Sequence, residues 1–151
     1  MSCLLDYYRK IRSKIQILFR NKRNIKLRKR IKNATPSIIC DNCTAGVIYH
    51  DLGLKFMSPT INLYMYPDDY LKFISNIIYS LSCDIIELNE KGNDEGEEFP
   101  IGIIDDIKVY FMHYRSFDED KIKWIERSKR VDYDNLFVIM NKRSSACKKK
   151  T

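Results

Sequence analysis

Apolar residues recur at Leu4, Tyr8, Ile11, Ile15 and Leu18, in steps of four, three, four and three. That is one face of a 3.6-residue period, and it predicts an amphipathic helix over 3–32. Pro36 stops it. The apolar run Ser37 to Cys40 predicts a strand, and Val47 to Leu52 a helix with Gly53 as its C-terminal stop. Ser58-Pro59-Thr60 leads into a β-rich run, so a short strand is expected at 60–65. Pro67, with Asp68 and Asp69 in the first turn, opens a helix with a buried face of Tyr70, Phe73, Ile74, Ile77, Ile78 and Leu81.

Further on, Asp84 to Leu88 reads as a strand and 89–99 as a mobile loop rich in Gly and acid. Runs at 100–104 and 107–114 flank Asp105-Asp106 and predict a β-hairpin. In its second arm Ile107, Val109, Phe111 and His113 alternate with Lys108, Tyr110, Met112 and Tyr114. Ser116 and Glu119 form a capping box for a helix over 117–130, with Glu119/Lys123 and Glu126/Arg130 pairs along it. Leu136 to Met140, apolar throughout, reads as a final central strand. The pattern predicts the α/β class, as a three-layer sandwich with a mixed, mainly parallel sheet and one hairpin, preceded by a basic amphipathic helix. Three regions follow: the basic helix 1–35, an α/β domain 36–141 and a basic tail 142–151.

Charge sharpens that division. Residues 1–35 hold twelve Lys and Arg against Asp6 alone, and 142–151 hold five with no acid, whereas 36–141 carry ten basic and nineteen acidic residues. Basic arms on an acidic body point to an anionic partner for the arms. For 3–32 that partner is an anionic membrane surface, each nearby basic group contributing on the order of 1 kcal/mol. The alternative is a stripe packed on the domain under a solvated basic face. Nucleic acid is the weaker third choice, because aromatic interleaving is confined to Tyr7, Tyr8 and Phe19. Five cysteines at irregular spacing, no apolar run of about 18 residues and no secretory pattern at the start lead us to expect a cytoplasmic protein, peripheral at the inner face of the membrane.

Candidate chemistry centres on the strand, turn and helix of 37–53. Such a turn aims backbone N–H groups and turn side chains into a crevice at the carboxyl end of a strand, which makes Asn42 and Gly46 candidate ligand-binding positions. Cys40 and Cys43 form a C-x-x-C, but a zinc site would need His50 and His113 to complete it, and no metal site is assigned. Cys43, just ahead of a helix, is a candidate nucleophile with His50 or His113 as base, or a small thiol that suits a tight turn. Trp124, Arg127 and Arg130 share a helix face that could grip a phosphate or carboxylate, or the arginines could complement the helix dipole. Asp105 and Asp106 could hold a cation with a sugar phosphate, or form a hairpin turn.

Many of these residues occur in one order that resembles a known family. They include Ile39 to Gly46, Tyr49-His50-Asp51-Leu52-Gly53, Ser58 to Leu63, Asp69 to Phe73, Pro100-Ile101-Gly102, His113-Tyr114, Lys123-Trp124 and Tyr133-Asp134-Asn135-Leu136. Over about 36–140 the chain resembles bacterial exopolysaccharide (capsular polysaccharide) biosynthesis proteins. The resemblance implies a three-layer α/β fold and a role in cell-surface polysaccharide production, either transfer or modification of a nucleotide- or lipid-linked sugar or a non-catalytic accessory subunit of a glycosyltransferase complex. It adds Asn135 to the candidate ligand-binding residues, makes a sugar phosphate or lipid-linked sugar the expected ligand, and implies no particular cofactor. Where that family reads Ser-Asn-Asn-Cys-Trp-Gly-Gly, this chain has Cys40-Asp41-Asn42-Cys43-Thr44-Ala45-Gly46, and its C-terminal part looks shortened.

Overall fold

The computed structural model describes residues 2–31, 35–94, 96–114 and 116–141; within the first helix the side chains of 2–11 and 13 are not among those described. In chain order come α1 (Ser2–Arg30), β1 (Ser37–Cys40), α2 (Thr44–Leu52), α3 (Pro67–Ser75), α4 (Ile77–Ser82), β2 (Ile86–Asp94), β3 (Glu97–Ile104), β4 (Ile107–Tyr110), α5 (Phe117–Ser128) and β5 (Leu136–Ile139). The α/β class and the N-terminal helix are present as expected. Among the described residues no helix is long and apolar enough to cross a membrane. The tail 142–151 lies outside the described residues.

Each residue of β1 is buried. Ile38 and Cys40 pack with Ala45 and Tyr49 of α2, while Ile39 faces Tyr70 and Phe73 of α3 and Trp124 of α5. Helices therefore cover both sides of this strand, which is why it reads as a continuous apolar run. β1 pairs in parallel with β5, Ser37 opposite Leu136 through Cys40 opposite Ile139. β2, β3 and β4 form a separate antiparallel sheet in that order.

Where one mixed sheet was expected, the strands divide into two, stitched by the segment expected as a strand at 60–65. Met65 N–H donates to Asp41 O at 2.9 Å, and Tyr64 and Tyr110 exchange backbone hydrogen bonds of 2.8 and 2.9 Å. Asn62 at φ 63° keeps this segment from regular strand geometry, so only Tyr64 makes a ladder bridge.

Four further expectations are corrected. The helix expected through Leu81 breaks at Asn76, with φ −140° and ψ 55°, one residue after the Ser75 hydroxyl has bonded back to Leu71 O at 2.6 Å. Ile78 is consequently exposed. The loop expected over 89–99 is mostly strand: Lys91 to Asp94 pair with Pro100 to Glu97. The register shifts between Glu87 and Lys91, beside the pairing with Pro100, which has no N–H for a ladder. Among the described residues β5 is an edge strand, not a central one, because only β1 pairs with it; Phe137 and Val138 stand exposed.

The fourth correction concerns α1. It sits on α2 through Arg20, Asn24 and Arg28 of its polar face, and the described part of the apolar stripe does not pack on the domain. Arg20 grips the Asp51 carboxylate, and Arg28 donates to Asp51 O at 2.9 Å and to His50 O at 3.3 Å. Arg28 thereby caps carbonyls at the end of α2. Gly53 closes that helix at φ 63° and ψ 32°, and a Cβ there would lie 3.3 Å from Arg28 Nε. Ile15 and Leu18 of the stripe point to solvent; the side chains of Leu4, Tyr8 and Ile11 lie outside the described residues.

Candidate functional site

The turn after β1 is built as the sequence suggests, but its polar groups are spent internally. Asn42 Oδ1 accepts from Thr44 N–H at 2.9 Å and so serves the start of α2. Cys40 Sγ donates toward Asp41 Oδ1 at 3.5 Å and Asn42 Oδ1 at 3.4 Å. The Asp41 carboxylate accepts the Asn141 N–H at 3.2 and 3.3 Å, and the Tyr70 hydroxyl lies 3.1 and 3.0 Å from the carbonyls of Ile39 and Ile139. Tyr70 and Asn141 thus close the carboxyl end of the parallel pair where a ligand crevice was expected. Gly46 is buried against Ile61 and Asn62.

Cys43 does not gain thiolate character there. Its thiol faces Leu63 O at 3.9 Å, and burial, with the neighbouring Cys40 as a lesser cause, raises its pKa. No hydrogen bond among the described residues joins either histidine to it. The His50 side chain is 85% exposed, with Nδ1 3.8 Å from Asp51 Oδ1. Among the described residues no group of three or more His, Cys, Asp or Glu is placed to hold a metal ion.

The arginine pair is also engaged in packing. Arg127 Nη1 donates to the Tyr114 hydroxyl at 2.8 Å and its guanidinium lies 5.2 Å from the Phe56 ring centre. Tyr114 in turn donates to Ile61 O at 3.0 Å. Arg130 donates to Phe56 O at 3.4 Å and to Glu126 Oε2 at 3.3 Å. The two residues fasten the 54–61 segment to α5. Trp124 is buried against Phe73, ring centres 5.9 Å apart, with its Nε1–H unpartnered among the described residues. Asp105, at φ 54°, and Asp106 make the β3–β4 turn, and Asp106 pairs with Lys72. Asn135 lies in the turn before β5, where its carbonyl accepts the Ser37 N–H at 2.9 Å.

A different cleft opens on the three-stranded sheet. Alternation about Met65 puts Tyr64 and Tyr66 on one face. Both meet Tyr110 of β4, with ring centres 5.1 Å apart for Tyr64/Tyr66 and Tyr66/Tyr110 and 6.2 Å for Tyr64/Tyr110. Tyr66 stands edge to face against both other rings, the geometry their quadrupoles favour, while the Tyr64 and Tyr110 rings are tilted by 57°. With Asn93, Asp94, Phe99 and Met112 they line a cavity of about 210 Å³. It adjoins a second of about 240 Å³, which shares Asp94, Phe99 and Met112 and adds Glu97 and His113. Among the described residues no Lys or Arg lines either part.

Of the residues the sequence nominated, His113 alone reaches this cleft. The outward positions Tyr110 and Met112 were legible in the alternation of β4, as was the spacing of Tyr64 and Tyr66. What joins them is the Tyr64–Tyr110 bridge, between residues distant in sequence.

These features define a small α/β protein with a helix-covered parallel pair and an aromatic, acid-edged cleft on an antiparallel sheet. The chain belongs to the family described as "Domain of unknown function (DUF1919)", whose pattern matches residues 14–151. An uncharacterized protein of Haemophilus influenzae (strain ATCC 51907 / DSM 11121 / KW20 / Rd) is 32% identical over 145 residues, 96% of this chain and 68% of the relative.

Proposed function

We propose that this protein holds a saccharide ring in the cleft of Tyr64, Tyr66 and Tyr110, and serves cell-surface polysaccharide production as a non-catalytic subunit beside a glycosyltransferase. The tyrosine cluster with Asn93 and Asp94 at its edge is the observation that carries this reading. A sugar ring offers apolar C–H faces to aromatic rings and hydroxyls to carboxylate and amide groups. The acidic lining suits hydroxyls rather than a bare phosphate, so the sugar, not the phosphate of a sugar phosphate or lipid-linked sugar, is the part recognised. The polysaccharide context of this proposal rests on the resemblance of residues 36–140 to exopolysaccharide biosynthesis proteins read from the sequence.

One observation favours a second reading, transfer or modification of the bound sugar: His113 and Glu97 line the adjoining part of the cleft. There His113 would act as the base.

Saturation-transfer NMR of the full chain with neutral hexoses, amino sugars and nucleotide-sugars tests the proposal, with the free nucleotide as control. Saccharide signals should appear and fall about tenfold with Tyr110→Ala, in line with the roughly 0.5–1.5 kcal/mol of one aromatic contact plus its buried area. Saccharides that give no signal, or a signal indifferent to Tyr110→Ala and Tyr66→Ala, would overturn it. His113→Gln that keeps binding but abolishes polymer output in cells would establish the catalytic version.

A further inference from the structure

We propose that α1 docks this protein on a bilayer surface carrying anionic lipids, through the helix face turned away from the body. The seat of α1 uses Arg20, Asn24 and Arg28, four residues apart and therefore on one line along the helix. Asn24 is 5% exposed. Half a turn around the helix, Ile15, Leu18 and Phe19 are 47%, 63% and 70% exposed, and the same face continues in Lys22, Lys26 and Lys29.

The composition of that face selects its occupant. Between residues 12 and 31 there is no Asp or Glu, and beyond Arg20 and Arg28 there are seven further Lys and Arg. A second copy would bring lysine rows against lysine rows, which repel. A nucleic acid would satisfy the lysines and leave Ile15, Leu18 and Phe19 in water. An anionic lipid surface satisfies both at once: the apolar residues enter the acyl boundary, while the lysine stems lie along it with their ammonium groups among the headgroups. The Arg20–Asp51 fork fixes which face looks outward, and it leaves the acidic body on the opposite side, away from the negative surface. This inference is independent of the saccharide cleft, whose lining includes no described residue of α1.

Co-sedimentation of the full chain with phosphatidylcholine vesicles, alone or mixed with phosphatidylglycerol, tests it. Partition onto the mixed vesicles should exceed that onto neutral ones by about tenfold or more, and should weaken as salt is added. The double variant Leu18→Glu/Phe19→Glu and the triple variant Lys22→Gln/Lys26→Gln/Lys29→Gln should each lower it about tenfold. These positions leave the seat intact, so circular dichroism of both variants should match the parent. Equal binding to neutral vesicles, no vesicle binding, or indifference to both variants would overturn the proposal. So would DNA-duplex binding that Leu18→Glu/Phe19→Glu leaves unchanged, which gives the face to nucleic acid, or a dimer in sedimentation equilibrium that this variant dissolves.

Discussion

Arg20 and Asp51 meet in a two-pronged contact across 31 residues of sequence, Nε to Oδ2 at 2.7 Å and Nη2 to Oδ1 at 2.6 Å. With Arg28 on the carbonyls of His50 and Asp51, this pair decides how α1 is rotated on the body. The Arg20 contact holds the Asp51 carboxyl below its ordinary value of 3.8. A depressed carboxylate contributes stability above its unfolded pKa and loses it as pH falls through the folded one. Asp51→Ala should therefore raise amide exchange in residues 20–31 while leaving β1 and β3 protected. The same release should occur in the parent only in acid, below about pH 4. Unchanged exchange in 20–31 would mean that Arg28, held by the backbone carbonyls of His50 and Asp51, suffices.

Tyr49 is fully buried, and its hydroxyl donates to Pro36 O at 2.8 Å while accepting from Ile38 N–H at 2.8 Å. Tyr49→Phe keeps the packing and leaves both backbone groups without this partner. Urea unfolding should show a loss of about 1–3 kcal/mol, the cost of stranding buried polar groups. A loss near zero would mean that water replaces the hydroxyl.

Gly92 and Phe99 face each other in the β2–β3 pairing, and a Cβ on Gly92 would fall 1.9 Å from Phe99 Cε2. Gly92→Ala must displace the ring, at about 1–3 kcal/mol for such overpacking. Since Phe99 lines both parts of the cleft, saccharide binding should weaken in the same variant. Destabilisation with undiminished binding would separate the ring from the proposed site.

Asp120 is 1% exposed, neither oxygen has a hydrogen-bond partner among the described residues, and burial, aided by the charge of Glu119, pushes its pKa up to about 8 from an ordinary 3.8. Between those values the folded chain binds a proton that the unfolded chain has lost, so stability falls as pH rises through about 4–8 and levels off above. Asp120→Asn removes this titration. Its urea midpoint relative to the parent should climb across the same window. Parallel pH profiles for the two proteins would refute the assignment.

The sequence by itself determined the features whose causes lie within a few residues. Pro67 with two acids started α3, Ser116 capped α5 by accepting the Glu119 N–H at 3.4 Å, and Gly53 ended α2. The largely apolar β1 was legible because burial on both faces leaves one polar position, Ser37, whose hydroxyl accepts the Asp132 N–H at 2.8 Å. Only the tertiary structure decided the rest. Polar 89–94 became strand because β3 lies alongside, and apolar β5 became an edge because, among the described residues, only β1 pairs with it. Tyr70 and Asn141 sealed the turn that had looked like a site, and the Tyr64–Tyr110 bridge assembled another from residues far apart in the chain. Capping and turn preferences act over one or two helical turns and are written locally. Pairing, burial and cleft formation depend on which distant backbone supplies the partner, and the fold alone supplies it.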